Sequence, residues 1–134
     1  MKVRVTDKNS PYCGQEYEGG CIYYDINHTG NSPDLFIINT PDGEKQILST
    51  SIDTEHYWEQ RRQEHIKKLG ANIGDIVLIT RAGGGSFKSG FNCSEPHKIT
   101  NINSSGYVEF DNGEATTFRP DVTVIENIQV EVKL

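Results

Sequence analysis

A chain of 134 residues that is 34% hydrophobic and carries a net charge of −6 holds enough apolar material for one modest core. It contains no run approaching the roughly eighteen apolar residues of a membrane span, and its acidity excludes a generic nucleic-acid coat. The charge is uneven, however: residues 55–98 sum to +2 between flanks of −4 each, so a polyanion would meet the middle of the chain.

The opening, Met1–Thr6, lacks the apolar stretch of a signal peptide, and a cytoplasmic location is expected. Lys2–Thr6 alternates as a strand does, with Val3 and Val5 on one face. Turn residues follow (Asn9-Ser10-Pro11, Gly14, Gly19-Gly20), then the short apolar strand Cys21–Tyr24, closed by Asn27, Gly30, Asn31 and Pro33. Leu35–Ile38 and Lys45–Leu48 flank Pro41-Asp42-Gly43. Proline presets the turn and glycine accepts a positive φ, so this segment is read as a hairpin.

Asp53 or Thr54 is placed to cap a helix over 55–69, and Gly70 to stop it. Trp58, Arg62, Ile66 and Leu69 fall on one narrow stripe of that helix. Asp75–Thr80 reads as the strongest strand, and Arg81–Gly90 as a flexible glycine-rich loop. Lys98–Ile102 and Tyr107–Phe110 pair across Ser104–Gly106, and Asp111-Asn112-Gly113 turns the chain into Ala115–Phe118. Val122–Ile125 and the alternating Ile128, Val130, Val132 and Leu134 finish it.

About eight to ten short strands with frequent turn signals predict a mostly β protein, a small open barrel or pseudobarrel with one central helix. The expected organisation is a single compact domain over 1–134, with a β-rich half at 1–53, the helix at 54–70 and a second β-rich half at 71–134. A tandem pair of small barrels is the alternative. Three cysteines, Cys13, Cys21 and Cys93, do not make a disulfide framework and read as free, largely buried thiols.

The glycine-rich segment is the leading binding candidate. Gly83, Gly84 and Gly85 would let successive amides converge on an anion, with Arg81, Ser86, Lys88 and Ser89 adding charge and hydroxyls. The spacing before the lysine is not that of a Walker loop, and no helix follows. Arg61, Arg62, Lys67 and Lys68 on the helix offer further cations, balanced by Glu55, Glu59 and Glu64 three or four residues away. Trp58 and Tyr57 could stack on a ligand ring, as could Tyr17, Tyr23 and Tyr24. Cys93-x₃-His97 is the nearest approach to a metal motif, and without a Cys-x₂-Cys knuckle no metal or other cofactor is expected. No nucleophile elbow, His-Glu-x-x-His or interpretable acid pair points to catalysis.

The stretch Tyr57–Thr80, with its leucine–glycine helix end and the turn Gly74-Asp75 before Ile76-Val77-Leu78-Ile79, resembles the DNA-binding pseudobarrel family. That family includes effector domains of restriction enzymes and DNA-binding domains of plant transcription factors. The resemblance implies a seven-stranded open barrel that grips the major groove with basic arms on two strands. This chain differs in being acidic overall, with no dense Arg/Lys cluster on any strand.

The functional expectation is a non-catalytic module that recognises a phosphate-bearing ligand, DNA or a small nucleotide, without a membrane role. The alternative is an acidic protein-binding module or phage-type inhibitor that sequesters a signalling nucleotide or blocks a partner protein.

Overall fold

A computed structural model describes residues 1–126. Among them are ten strands, one 3-10 turn (Ser49–Ser51) and one α-helix, α1 (Thr54–Leu69), so the protein is mostly β, as the turn spacing predicts. The chain divides into two compact units, Met1–Gln60 and Arg61–Leu134, with the division inside α1. The helix begins where Asp53 Oδ1 accepts the His56 amide at 3.1 Å. Glu55 in its first turn and Lys67 and Lys68 in its last suit the helix dipole. No helix among the described residues is long and apolar enough to cross a membrane.

The first unit is a four-stranded antiparallel sheet in the order β1 (Lys2–Arg4), β2 (Glu16–Tyr23), β3 (Leu35–Thr40), β4 (Gly43–Leu48). The β3–β4 hairpin closes with Thr40 opposite Gly43, the tight turn expected of Pro41-Asp42. Val3 and Val5 are both buried, against Phe36, Ile38, Ile52 and Tyr57. Two expectations are corrected here. Gly19-Gly20 lies inside β2 and is no turn, because the backbone of β3 passes so close that a Cβ on Gly19 would sit 2.0 Å from the Ile37 carbonyl oxygen. Tyr57 is no free stacking surface: it is 2% exposed, and its hydroxyl accepts the Cys21 amide at 3.2 Å. Cys13, read as largely buried, is exposed, while Cys21 and Cys93 are partly buried.

The second unit is a six-stranded antiparallel sheet ordered β10 (Asp121–Glu126), β5 (Ile76–Arg81), β7 (His97–Ile102), β8 (Tyr107–Phe110), β9 (Ala115–Phe118), β6 (Gly85–Phe87). Chain length alone forces this sheet to curl. From Arg81 to Gly85 the chain spans at most about 14 Å, whereas β5 and β6 in a flat sheet would lie four spacings, about 19 Å, apart. The Phe118–Asp121 link between β9 and β10 crosses four spacings with still fewer residues, about 11 Å. The result is a half-barrel whose core is Val77, Ile79, Ile99, Ile102, Val108 and Phe110, with Ile66 and Leu69 of α1 packed on it.

The segment read as a flexible loop, Arg81–Gly90, therefore contains a strand. Gly85, Ser86 and Phe87 pair with Thr117, Thr116 and Ala115. A Cβ on Gly83 or Gly85 would lie 1.7 Å from the Phe118 or Thr116 carbonyl oxygen, so these glycines let two backbones meet. The expected alternation at Ile128, Val130, Val132 and Leu134 lies outside the described residues.

Candidate functional site

The two short links that close the half-barrel meet in register, because Arg81 ends β5 opposite Asp121, the first residue of β10. Arg81 Nε donates to Asp121 Oδ2 at 2.7 Å and Nη2 approaches Oδ1 at 3.4 Å, a fork that suits a guanidinium and a carboxylate. The hydrogen bond from Arg81 holds the Asp121 carboxyl below the usual carboxylate range, and the same bond raises Arg81. Arg81 Nη2 makes a further bond, at 2.8 Å, to the backbone oxygen of Arg119.

That bond matters because Arg119 has φ +46°, a left-handed conformation uncommon for a residue with a side chain. The other side of Arg119 is pinned too, its amide donating to the Gly106 oxygen at 2.8 Å. Its side chain is thereby set across Gly106, with Cζ 4.9 Å from the centre of the Phe118 ring. Tyr107 packs on Phe118 with ring centres 5.0 Å apart.

Below this corner is a cleft of about 190 Å³ in the second unit. Its lining combines apolar Leu69, Ile102 and Val108 with His65 and Lys68 of α1, Arg119, and the Arg81–Asp121 pair. Three cations face one carboxylate, leaving a surplus of two positive charges before His65 is counted. Among the described residues no carboxylate forms an ion pair with Lys68 or Arg119. Gly106 leaves room for both flanking groups: a Cβ there would meet Arg119 Cγ at 2.9 Å and the His65 ring at 3.1 Å. His65 is half-buried, and its pKa is lowered from that of an ordinary imidazole, first through burial and then through the positive field of Arg119, Arg61 and Lys68. A hydrogen bond to the Ser104 backbone opposes these effects.

Of the residues singled out from sequence, Arg81 reaches this cleft and Arg61 lies near enough to act on His65. Arg62 does a different job, its Nε donating at 2.7 Å to the Ile102 carbonyl. Gly83, Gly84, Gly85 and Ser86 belong to the β6–β9 seam, where the Phe118 amide donates to the Gly84 oxygen and the Lys88 amide to the Glu114 oxygen. The backbone there pairs along one edge with β9, so the segment is a strand at the rim of the sheet and not a free loop. The side chain of Lys88 and Ser89 are exposed. Trp58 lies in the first unit, stacked with Tyr24 at 6.0 Å between ring centres and edge-on to Tyr57.

His97 is not offered to a metal. Its Nδ1 faces Asp111 Oδ2 at 2.5 Å and its Nε2 the Asn92 oxygen at 2.6 Å, while Phe91 stacks on the ring at 4.0 Å. The carboxylates that an acidic docking surface would use are partly engaged as well: Glu109 accepts from Thr100 Oγ1 at 2.7 Å, and Asp111 from His97 and the Lys98 amide.

Sequence reasoning passed over His65, Arg119 and Asp121. A signal existed for the first: Arg61, His65 and Lys68 are spaced four and three apart, which aligns them along one helix face. Comparison of the chain with protein-family models, with curated proteins and with solved structures gives no match.

Proposed function

We propose that the protein is a cytoplasmic, non-catalytic binding module that takes a phosphate-bearing ligand into the cleft of its second unit. The observation that carries this reading is Arg119, held in a left-handed backbone conformation from both sides, with its side chain at a cleft that has a surplus of cations. Such local strain persists only where surrounding contacts enforce it, and it concentrates where a side chain must be aimed. Guanidinium and ammonium groups without carboxylate partners are suited to oxyanions, through charge-assisted hydrogen bonds.

Volume bears on ligand size. At about 190 Å³ the cleft is smaller than the roughly 300–1,000 Å³ of sites that enclose a whole drug-sized ligand. It suits a phosphate group, with the remainder of a small nucleotide lying outside against the Arg119–Phe118–Tyr107 row.

The test is a thermal-shift series with inorganic phosphate, nucleoside mono- and triphosphates and duplex DNA, each at two salt concentrations. Ligands that bind only the folded state raise the melting temperature. Phosphate and nucleotides are expected to do so with modest salt sensitivity. Arg119→Ala should weaken them about tenfold or more, the loss of a charge-assisted bond worth about 1.5–3 kcal/mol. Binding of duplex DNA alone, with a steep salt slope, would replace the nucleotide with a polymer. No response to any phosphate, or an unchanged affinity in Arg119→Ala, would refute the cleft as the site.

A further inference from the structure

We propose that His65 is the proton-accepting group of this cleft, so that an entering oxyanion is bound together with a proton. The inference rests on the anion-binding reading and adds a regulation to it: ligand capture strengthens as the surroundings become more acidic.

The argument starts from what surrounds the imidazole. Its ring atoms Cε1 and Nδ1 lie 3.1 Å from the position a Gly106 Cβ would take, so the ring forms part of the wall that the ligand would touch. From its own helix it faces Arg61 and Lys68, and from the β9–β10 link Arg119. Arg81 and its partner Asp121 lie across the cleft. The turn between β7 and β8 supplies the Ser104 backbone as a hydrogen-bond partner. The charges that act most strongly on the ring, those of Arg119, Arg61 and Lys68, are therefore positive, and the cleft disfavours a further cation.

An oxyanion reverses that sign. A doubly charged anion placed among Lys68, Arg119 and the Arg81–Asp121 pair cancels the surplus of two positive charges. The ring then has a negative neighbour and an acceptor within reach, both of which favour its protonated form. By linkage, a group that gains a proton on binding makes affinity rise as pH falls, by up to about tenfold per pH unit between the two pKa values.

The probe is inorganic sulfate, which stays doubly charged from pH 5 to pH 8, so that any pH dependence belongs to the protein. Titration calorimetry on the full chain at pH 5.5, 6.5 and 7.5 is expected to show affinity rising at least fivefold toward pH 5.5. In buffers of different ionisation heat, net proton uptake should appear near pH 6.5. His65→Gln retains a hydrogen-bonding side chain but cannot titrate; it should still bind sulfate, with a flat pH profile and no proton uptake. Sulfate binding that is pH-independent in the wild-type chain, or equally pH-dependent in His65→Gln, would overturn the proposal while leaving the anion site standing. Absence of sulfate and phosphate binding at every pH would refute the anion site and this inference with it.

Discussion

The glycines of the β6–β9 seam give a sharp prediction because they alternate. At Gly85 an added Cβ would lie 1.7 Å from the Thr116 carbonyl oxygen, and at Gly83 equally close to that of Phe118; at Gly84 it would meet nothing within 4 Å. Real Cβ atoms essentially never approach closer than 3.0 Å, so alanine at Gly85 must push the two backbones apart by more than an ångström. The bonds at risk flank the clash: Phe118 amide to Gly84 oxygen at 2.7 Å and Lys88 amide to Glu114 oxygen at 2.8 Å, beside fully buried Thr117 and Ala115. Two or three such bonds at about 1 kcal/mol each put the cost of Gly85→Ala near 2–3 kcal/mol. For a unit of this size that is a drop of about 10–20 °C in melting temperature. Gly84→Ala should instead be neutral or stabilising by about 0.4–1 kcal/mol, since alanine restricts the unfolded chain. Thermal melts followed by far-UV circular dichroism compare the two variants directly. Equal damage at both positions, or a Gly85→Ala protein that melts like wild type, would refute the close-approach account. A stable Gly84→Ala protein that had lost phosphate binding would return the glycine amides to the site.

Three further outcomes follow from the geometry. Arg81→Lys keeps the charge but cannot serve Asp121 and the Arg119 carbonyl together; phosphate affinity measured by calorimetry should fall several-fold, and an unchanged affinity would deny Arg81 its positioning role. Tyr57→Phe removes the hydroxyl that receives the Cys21 amide, and urea denaturation should register a loss of about 1–2 kcal/mol in the first unit. Stability should rise with pH over two ranges. Glu16, Glu18, Asp25 and Asp121 have lowered pKa values, each led by a hydrogen bond to the carboxylate, so their contribution is complete above the ordinary 3.8–4.5 and is lost as pH falls through the folded values. His65, lowered from 6.5, makes the fold less stable as pH drops below 6.5, where the unfolded chain takes up the proton first. Denaturant melts from pH 3 to pH 8 check both, and a wild-type profile that matches His65→Gln between pH 7 and pH 5 would contradict the second.

What was legible in the sequence is what short-range chemistry decides. Pro41-Asp42-Gly43 and Asp111-Asn112-Gly113 carry their turns within three residues, and the Asp53 cap lies beside the helix it starts. The glycine segment was misread as a flexible loop because glycine has two uses that look alike along the chain, loosening the backbone or admitting a second one. Only β9, some thirty residues downstream, distinguishes them. Gly19-Gly20 fails as a turn for the same reason, with β3 as the unseen partner. The cleft draws on α1, β5, the β7–β8 turn and the β9–β10 link, so its members are scattered from His65 to Asp121. The left-handed arginine leaves no trace at all, since Arg119 acquires its conformation from Gly106 and Arg81.

The brevity of the links that close the half-barrel decides where this protein tolerates added chain. Extra residues between Arg81 and Gly85, or between Phe118 and Asp121, would release the constraint that brings Arg81, Arg119 and Asp121 together. The exposed turn at Ser89-Gly90 takes part in no such closure, and lengthening a surface turn costs little, about 0.6 kcal/mol per doubling. An epitope or fluorophore tag grafted there would report on the protein while leaving the cleft corner intact.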